Sequence, residues 1–392
     1  MWAKSDTEQV VWFGELGGPA GLSQTTATTD EQAKEANRPI DLANAVLCLA
    51  EPSNFRHRYS VRYIGSKTST LPNLAALISA RVPRGTFCDC FGGVGTVGAH
   101  FKSLGYQVWT GDVLRFAHFF QIARIRRHRA PAFRRLRAAI GITACDDVVC
   151  LLRDARRSQG WFIEEYSKKR SYFTQNNARK IQGCWCTIRE WAANGWLTAE
   201  EHAVLLASLI NSMDKVANTA GTYYAFLKKW HRKALQAFRF ELLAPTAGES
   251  ECQCLFDSAH RLVERRRFDV LYLDPPYNER SYAHYYHLPE TIASGCPREV
   301  KGMAGTPVQA LRRSVFNDST LAATALNVLL ETARFRLLAF HYSDDGLISP
   351  EQVRGILTAH GTLEEFQLAS RGYTTQRTKR RVKHRLFLIT SA

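Results

Sequence analysis

The stretch Phe268-Asp269-Val270-Leu271-Tyr272-Leu273-Asp274-Pro275-Pro276-Tyr277 limits what this chain can fold into more than any other. Residues 270–273 form a continuous apolar run, the pattern of a strand buried on both faces of a parallel sheet. The run stops at two prolines, which cannot donate to a sheet ladder and which hold φ near one value. A carboxylate, Asp274, and a ring, Tyr277, are thereby held just past the carboxyl end of a strand. Open α/β sheets bind ligands at that place. The stretch therefore predicts an α/β chain whose site lies at the strand ends.

A second block fits the same plan. Thr86-Phe87-Cys88-Asp89-Cys90-Phe91-Gly92-Gly93-Val94-Gly95 reads as a short strand and a glycine-rich turn, followed by a helix carrying Val97, Phe101 and Leu104. Glycines such as Gly93 and Gly95 let a ligand approach the backbone, and a helix N-terminus adds donors. The order is Asp-x-Phe-x-Gly-x-Gly rather than the Gly-x-Gly-x-x-Gly of dinucleotide sites. Asp89 would suit a cationic amino group, and Phe91 could pack on a thioether or sulfonium. Residues 106–112 read as a second strand ending in Asp112, 17 residues past Gly95. An acid there commonly binds ribose hydroxyls, although a helix-capping Asp would look the same. A strand over residues 251–256 ends at Asp257, which could bond an adenine amino group or cap the next helix.

Charge points to the partner. The chain has 392 residues and a net charge of +16. A protein this basic commonly meets a polyanion, of which nucleic acid is the usual case. Seven arginines fall between Arg124 and Arg137, and seven Lys/Arg between Arg371 and Arg385, including Arg377, Lys379 and Arg380. Lys228, Lys229, Arg232 and Lys233 surround Trp230 in a strip suited to phosphates, while Lys215 lies in a polar run, 214–224, suited to lining a groove. Solvated helix faces would give the same pattern. Hydrophobic residues make up 45% of the chain, enough for a sizeable core. No apolar stretch reaches the ~20 residues of a membrane span, and the N-terminus lacks the apolar core of a signal peptide. The cytoplasm is the expected compartment. Ten cysteines include three Cys-x-Cys pairs but no zinc-site spacing, so no metal is expected and the thiols read as reduced, small apolar residues.

The chain divides on composition. Residues 1–55 carry little pattern and read as an extension, ordered in part. Residues 56–115 and 250–392 hold the strand and turn signals. Residues 116–249 are rich in Arg, Trp, Ala and Leu at helical spacing, and Leu205, Leu206, Leu209 and Ile210 mark a buried helix face. They read as a mainly helical insertion. Residues 371–390 read as a hairpin ending in an apolar strand.

Four blocks together resemble the D12 class of adenine-N6 DNA methyltransferases, and within it type II modification methylases of the FokI kind. Tyr63-Ile64-Gly65-Ser66-Lys67 is similar to the family's N-terminal Tyr-x-Gly-x-Lys block. Asp89-x-Phe91-x-Gly93-x-Gly95 is similar to its cofactor loop, Asp112 falls at its second-strand acid, and Asp274-Pro275-Pro276-Tyr277 matches its catalytic tetrapeptide in full. The resemblance implies a doubly wound, mostly parallel, seven-stranded Rossmann-like sheet with a helical insertion subdomain that holds the target-recognition region. It implies S-adenosylmethionine as cofactor, bound by Tyr63, Ser66, Lys67, Asp89, Phe91, Gly93, Gly95, Asp112 and Asp257. Double-stranded DNA is the implied substrate, and a cognate restriction endonuclease the implied partner.

In this reading Asp274 and the Pro275 carbonyl, held by Pro276, accept the two N–H bonds of a flipped adenine amino group, and Tyr277 stacks on the base. Tyr282, in the ring-rich run that follows, would help contact the DNA. Two alternatives stay open on the sequence. One is an adenine-N6 methyltransferase of RNA, since some share the tetrapeptide. The other is a catalytically silent nucleic-acid-binding protein on the same fold.

Overall fold

The computed structural model describes residues 63, 67–368 and 384–391. The expected extension 1–55, Ser66, Arg377, Lys379 and Arg380 lie outside the described residues. Seven strands, β1 (Thr86–Asp89), β2 (Gln107–Gly111), β3 (Gln253–Leu255), β4 (Phe268–Leu273), β5 (Phe335–Ser343), β6 (Thr362–Leu368) and β7 (His384–Thr390), make one sheet in the order β3-β2-β1-β4-β5-β7-β6. β1 to β5 run parallel, and β7 is antiparallel to both β5 and β6. The strand order reverses between β1 and β4, where Phe87 pairs with Val270 and Asp89 with Tyr272. The carboxyl ends of these two strands therefore lie side by side.

Alternate residues of each central strand face opposite layers, which explains why the runs are apolar throughout. Phe87, Val270, Tyr272, Leu337 and Ala339 belong to one buried cluster, and Cys88, Leu271, Leu273, Leu338 and Phe340 to the other. The helices include α1 (Leu71–Ser79), α2 (Thr96–Ser103), α3 (Arg115–Gln121), α4 (Gln175–Ala193), α5 (Ala199–Asp214), α6 (Ala259–Val263), α7 (His287–Ser294), α8 (Ala322–Thr332) and α9 (Pro350–Thr358). Apolar side chains of α1 to α5 and α7 join the first cluster, and those of α6, α8 and α9 the second. This is a doubly wound, mostly parallel, Rossmann-like architecture. No described helix is long and apolar enough to cross a membrane.

Between β2 and β3 the described residues form helices and loops without a strand. The sheet and this segment belong to one compact unit. Leu205, Leu206, Leu209 and Ile210 are fully buried, but so is nearly every residue of α5 from Ala203 onward, because the helix is covered on all sides. A capping box closes its start, with Thr198 and Glu201 bonded reciprocally. Trp185 on α4 is fully buried and donates its Nε1–H to the carbonyl of Ile292 on α7. The polar run 214–224 turns inward instead of lining a groove. Tyr223 Oη donates to Asp214 Oδ1 (3.0 Å), and Asn218 bonds the carbonyls of Ser171 and Leu227, each at 3.0 Å.

Of the hairpin expected over 371–390, residues 371–383 lie outside the described residues, and its apolar end strand is β7, which pairs with β6. β6 lies at the sheet edge with two acids on it. Glu364 pairs with Arg81 at 2.7 Å, and Glu365 with Arg354 at 2.8 Å and with Arg385. Charges on an edge strand blunt further pairing.

At the opposite end of the centre, Asp269 ties β4 to β1. Its Oδ2 accepts from Thr86 N (2.7 Å) and Thr86 Oγ1 (2.8 Å), and these bonds lower its pKa against the effect of burial. Asp269→Ala leaves the Thr86 N–H without its acceptor and is expected to cost about 1–3 kcal/mol. Urea denaturation at pH 7 measures this as a lower midpoint with an unchanged slope.

Candidate active site

A cavity of about 350 Å³ opens where the strand order reverses. Tyr63, Lys67, Asp89, Phe91, Asp112, Asp257, Asp274, Pro276 and Tyr282 all line it, although they come from six separate stretches of chain. Asp89 ends β1. Asp112 follows β2, Asp257 follows β3, and Asp274 follows β4. Four parallel strands thus each deliver a carboxylate to one space.

Lys67 Nζ lies 2.7 Å from Asp274 Oδ2, and both side chains are largely buried. Burial raises the pKa of Asp274, and the Lys67 ammonium opposes that rise. The lysine expected on the cofactor is therefore bonded to the tetrapeptide carboxylate. Lys67 also stands 5.9 Å from the Tyr277 ring centroid. Tyr277 is set edge-on against Tyr342 and His384, with ring centroids 6.3 and 5.9 Å away. Pro275 is buried.

Asp89 is almost fully buried, and its Oδ2 has no hydrogen-bond partner among the described residues. Burial, with a contribution from nearby Asp274, pushes its pKa up to about 7. An orphaned carboxylate oxygen in such a place calls for a donor, and a cationic amino group supplies one. Asp112 accepts from Gly93 N (3.0 Å) and Leu114 N (2.8 Å), so it joins the end of β2 to the glycine turn. Burial pushes its pKa up to about 6 against the pull of these amides. Asp257 is not the cap of α6. Ser258 is, accepting from Arg261 N, and Asp257 Oδ1 accepts from the adjacent Ser258 N at 2.8 Å.

The glycines have a packing role. Gly93 has φ +49°, and a Cβ there would come within 2.5 Å of the Tyr63 ring. That ring stacks on Tyr286 with centroids 5.0 Å apart and tilts against Tyr282 at 5.5 Å. Gly95 has φ +73° and starts α2. Of the residues expected on DNA, Tyr282 lies in the cavity wall. Lys228, Lys229 and Arg232 are exposed, whereas Lys215 pairs with Glu241 and Lys233 donates to the Asp214 carbonyl at 3.1 Å. Sequence reasoning missed the wall formed by residues 312–317. A loop without hydrophobic period carries no signal of where it packs.

A doubly wound sheet with a glycine turn, acidic strand ends and Asp-Pro-Pro-Tyr at the reversal defines a Rossmann-like methyltransferase. The family described as D12 class N6 adenine-specific DNA methyltransferase matches residues 63–355, and the chain belongs to it. Among its relatives, type II methyltransferase M.FokI of Planomicrobium okeanokoites is 32% identical over 325 residues, which are 81% of this chain and 50% of the relative. Modification methylase StsI of Streptococcus sanguinis is 29% identical over 301 residues, 76% of this chain and 46% of the relative. Type II methyltransferase M.NlaIII of Neisseria lactamica is 29% identical over 329 residues, 82% and 95% of the two chains. The chain spans about half the length of M.FokI and StsI.

The state of Asp89 can be tested without any ligand. A carboxyl with a raised folded pKa holds its proton more tightly when folded, so stability falls as pH rises from about 4 through about 7. Asp89→Asn removes that dependence. Relative to wild type, the variant is expected to gain about 2–4 kcal/mol between pH 4.5 and pH 8. Urea denaturation of both proteins at the two pH values checks this; an equal difference at both would mean that Asp89 ionises without cost.

Proposed function

We propose that this chain is a DNA methyltransferase that transfers a methyl group from S-adenosylmethionine to the N6 amino group of a flipped adenine at a specific site in double-stranded DNA. The modification half of a restriction–modification pair is its place in this reading, with a cognate endonuclease as partner. One observation carries the proposal: Asp274 stands in the same cavity as Asp89, Asp112 and Asp257. An acceptor for a target amino group and carboxylates suited to a nucleoside that carries an amino acid thus share one space.

The cofactor supplies an activated methyl group on a sulfonium. Asp89, with its unpartnered oxygen, would hold the amino group. Asp112 would hold the ribose hydroxyls, Asp257 the cofactor adenine's amino group, and Phe91 the apolar stretch between. Tyr63, Gly93 and Gly95 would shape the turn around it. For the target base, Asp274 must be ionised to accept an N–H, and its ion pair with Lys67 favours that state. The Pro275 carbonyl would accept the second N–H; Pro276 lacks an N–H and fixes the backbone there. Two acceptors draw the delocalised lone pair onto nitrogen as positive charge develops, a preorganised electrostatic effect. Tyr277 and Tyr282 would offer faces to the flipped base, whose extrusion costs a few kcal/mol. Phosphate contacts by Lys228, Lys229 and Arg232 would offset part of that cost.

The reading is tested by incubating the protein with tritiated S-adenosylmethionine and either duplex DNA or ribosomal RNA. Label is expected in N6-methyladenine from the duplex, and label in RNA alone would sink the proposal. Asp274→Ala is expected to lower methyl transfer by at least about 100-fold, while calorimetric cofactor affinity changes by less than about tenfold. Replacing Lys228, Lys229 and Arg232 with alanine is expected to flatten the plot of log affinity against log salt by about 0.9 for each phosphate no longer neutralised. An unchanged slope would remove this strip from the DNA interface.

A further inference from the structure

Residues 312–317 cross one wall of the cavity and touch both of its halves. Within the short turn Val315–Asn317, neighbouring side chains point to different partners. Phe316 is buried, edge-on to Phe91 with centroids 5.1 Å apart, and stacked on His260 at 6.1 Å. Phe91 belongs to the glycine turn, and His260 follows Asp257, so Phe316 packs against the half assigned to the cofactor. Asn317 is equally buried. Its Nδ2 donates to the carbonyls of Asn278 (2.8 Å) and Arg280 (3.2 Å), in the loop directly after Asp-Pro-Pro-Tyr. A third bond joins the same two segments, from Ser281 Oγ to the Arg312 carbonyl at 3.3 Å.

The loop 278–281 separates the tetrapeptide from Tyr282, another cavity-lining ring. Two of its carbonyls, those of Asn278 and Arg280, are held by one amide group rather than by regular structure. A side chain that satisfies two loop carbonyls from a buried position fixes the loop, and its own place depends on how Phe316 packs. A ligand that pressed on Phe91 or Phe316 would thus move the anchor of the base-side loop.

We propose that Asn317 is a positioning residue that couples cofactor occupancy to the loop closing over the target base. The inference rests on the proposed methyltransferase reading. Binding of the cofactor sets Phe316, Asn317 follows it in the same turn, and the loop 278–281 takes the form in which Tyr282 and the tetrapeptide face the base. By linkage, DNA binding then strengthens cofactor binding to the same degree.

The test measures affinity for a duplex carrying the methylated site, mapped by sequencing, with and without S-adenosylhomocysteine. Wild type is compared with N317D, which keeps the shape and removes both donors. The wild-type chain must first methylate DNA; no transfer would overturn the functional reading and this inference with it. With transfer established, S-adenosylhomocysteine is expected to tighten wild-type DNA binding about tenfold and leave N317D unchanged, with binary cofactor affinity within about threefold of wild type. N317D is also expected to lose kcat, and at saturating DNA its cofactor KM rises by up to about tenfold, toward the binary value. Equal tightening in both proteins, or none in wild type, overturns the inference while leaving the methyltransferase reading intact. If melting curves show that N317D does not fold, Ser281→Ala decides by the same comparison: it removes the third tie and is expected to reduce the tightening, and undiminished tightening overturns the proposal.

Discussion

Two neighbouring strands, β1 and β4, end in aspartates, and the whole site depends on how these like charges are kept in a buried space. Asp274 has the Lys67 ammonium at 2.7 Å. Asp89 has no ion pair among the described residues, and its pKa rises to about 7 through burial and the nearness of Asp274. The two carboxylates are thus set apart by their surroundings, one matched to a resident cation and the other without one among the described residues. Such divergence between like groups is a common mark of functional sites. It follows from strand order: parallel strands on either side of a reversal point their carboxyl ends into the same crevice.

Around this crevice the chain spends its aromatic residues on shape. Tyr63 lies against the backbone of Gly93 and stacks on Tyr286, so protein packing moulds the glycine turn. α5 is covered on all sides and α4 buries one face, and their rings and buried amides fix the path of the segment that brings Lys228, Lys229 and Arg232 to the surface. The buried bonds of Asn218 and Tyr223 belong to that function.

Much of this was legible in the sequence because it is local. The strands β1, β2, β4 and β5 show as apolar runs since both their faces are covered, and the acids at their ends fall where the runs stop. β6 was not legible: its glutamates are satisfied by Arg81, Arg354 and Arg385, which lie 283, 11 and 20 residues away. The run 214–224 looked like a groove lining because polarity in a sequence does not tell whether the partner is water or protein. Asn317 had no signal, since its partners are loop carbonyls.

The sequence by itself determined the kind of fold and the chemical types at the strand ends, because strand periodicity, proline and glycine act through the backbone of a few adjacent residues. Only the tertiary structure decided which groups meet. It set Lys67 on Asp274, left an oxygen of Asp89 without a partner, made Ser258 rather than Asp257 the helix cap, and brought residues 312–317 across the cavity. Those outcomes depend on distances between segments far apart in the chain, and on burial, which raises or satisfies a charge only once the whole sheet has closed around it.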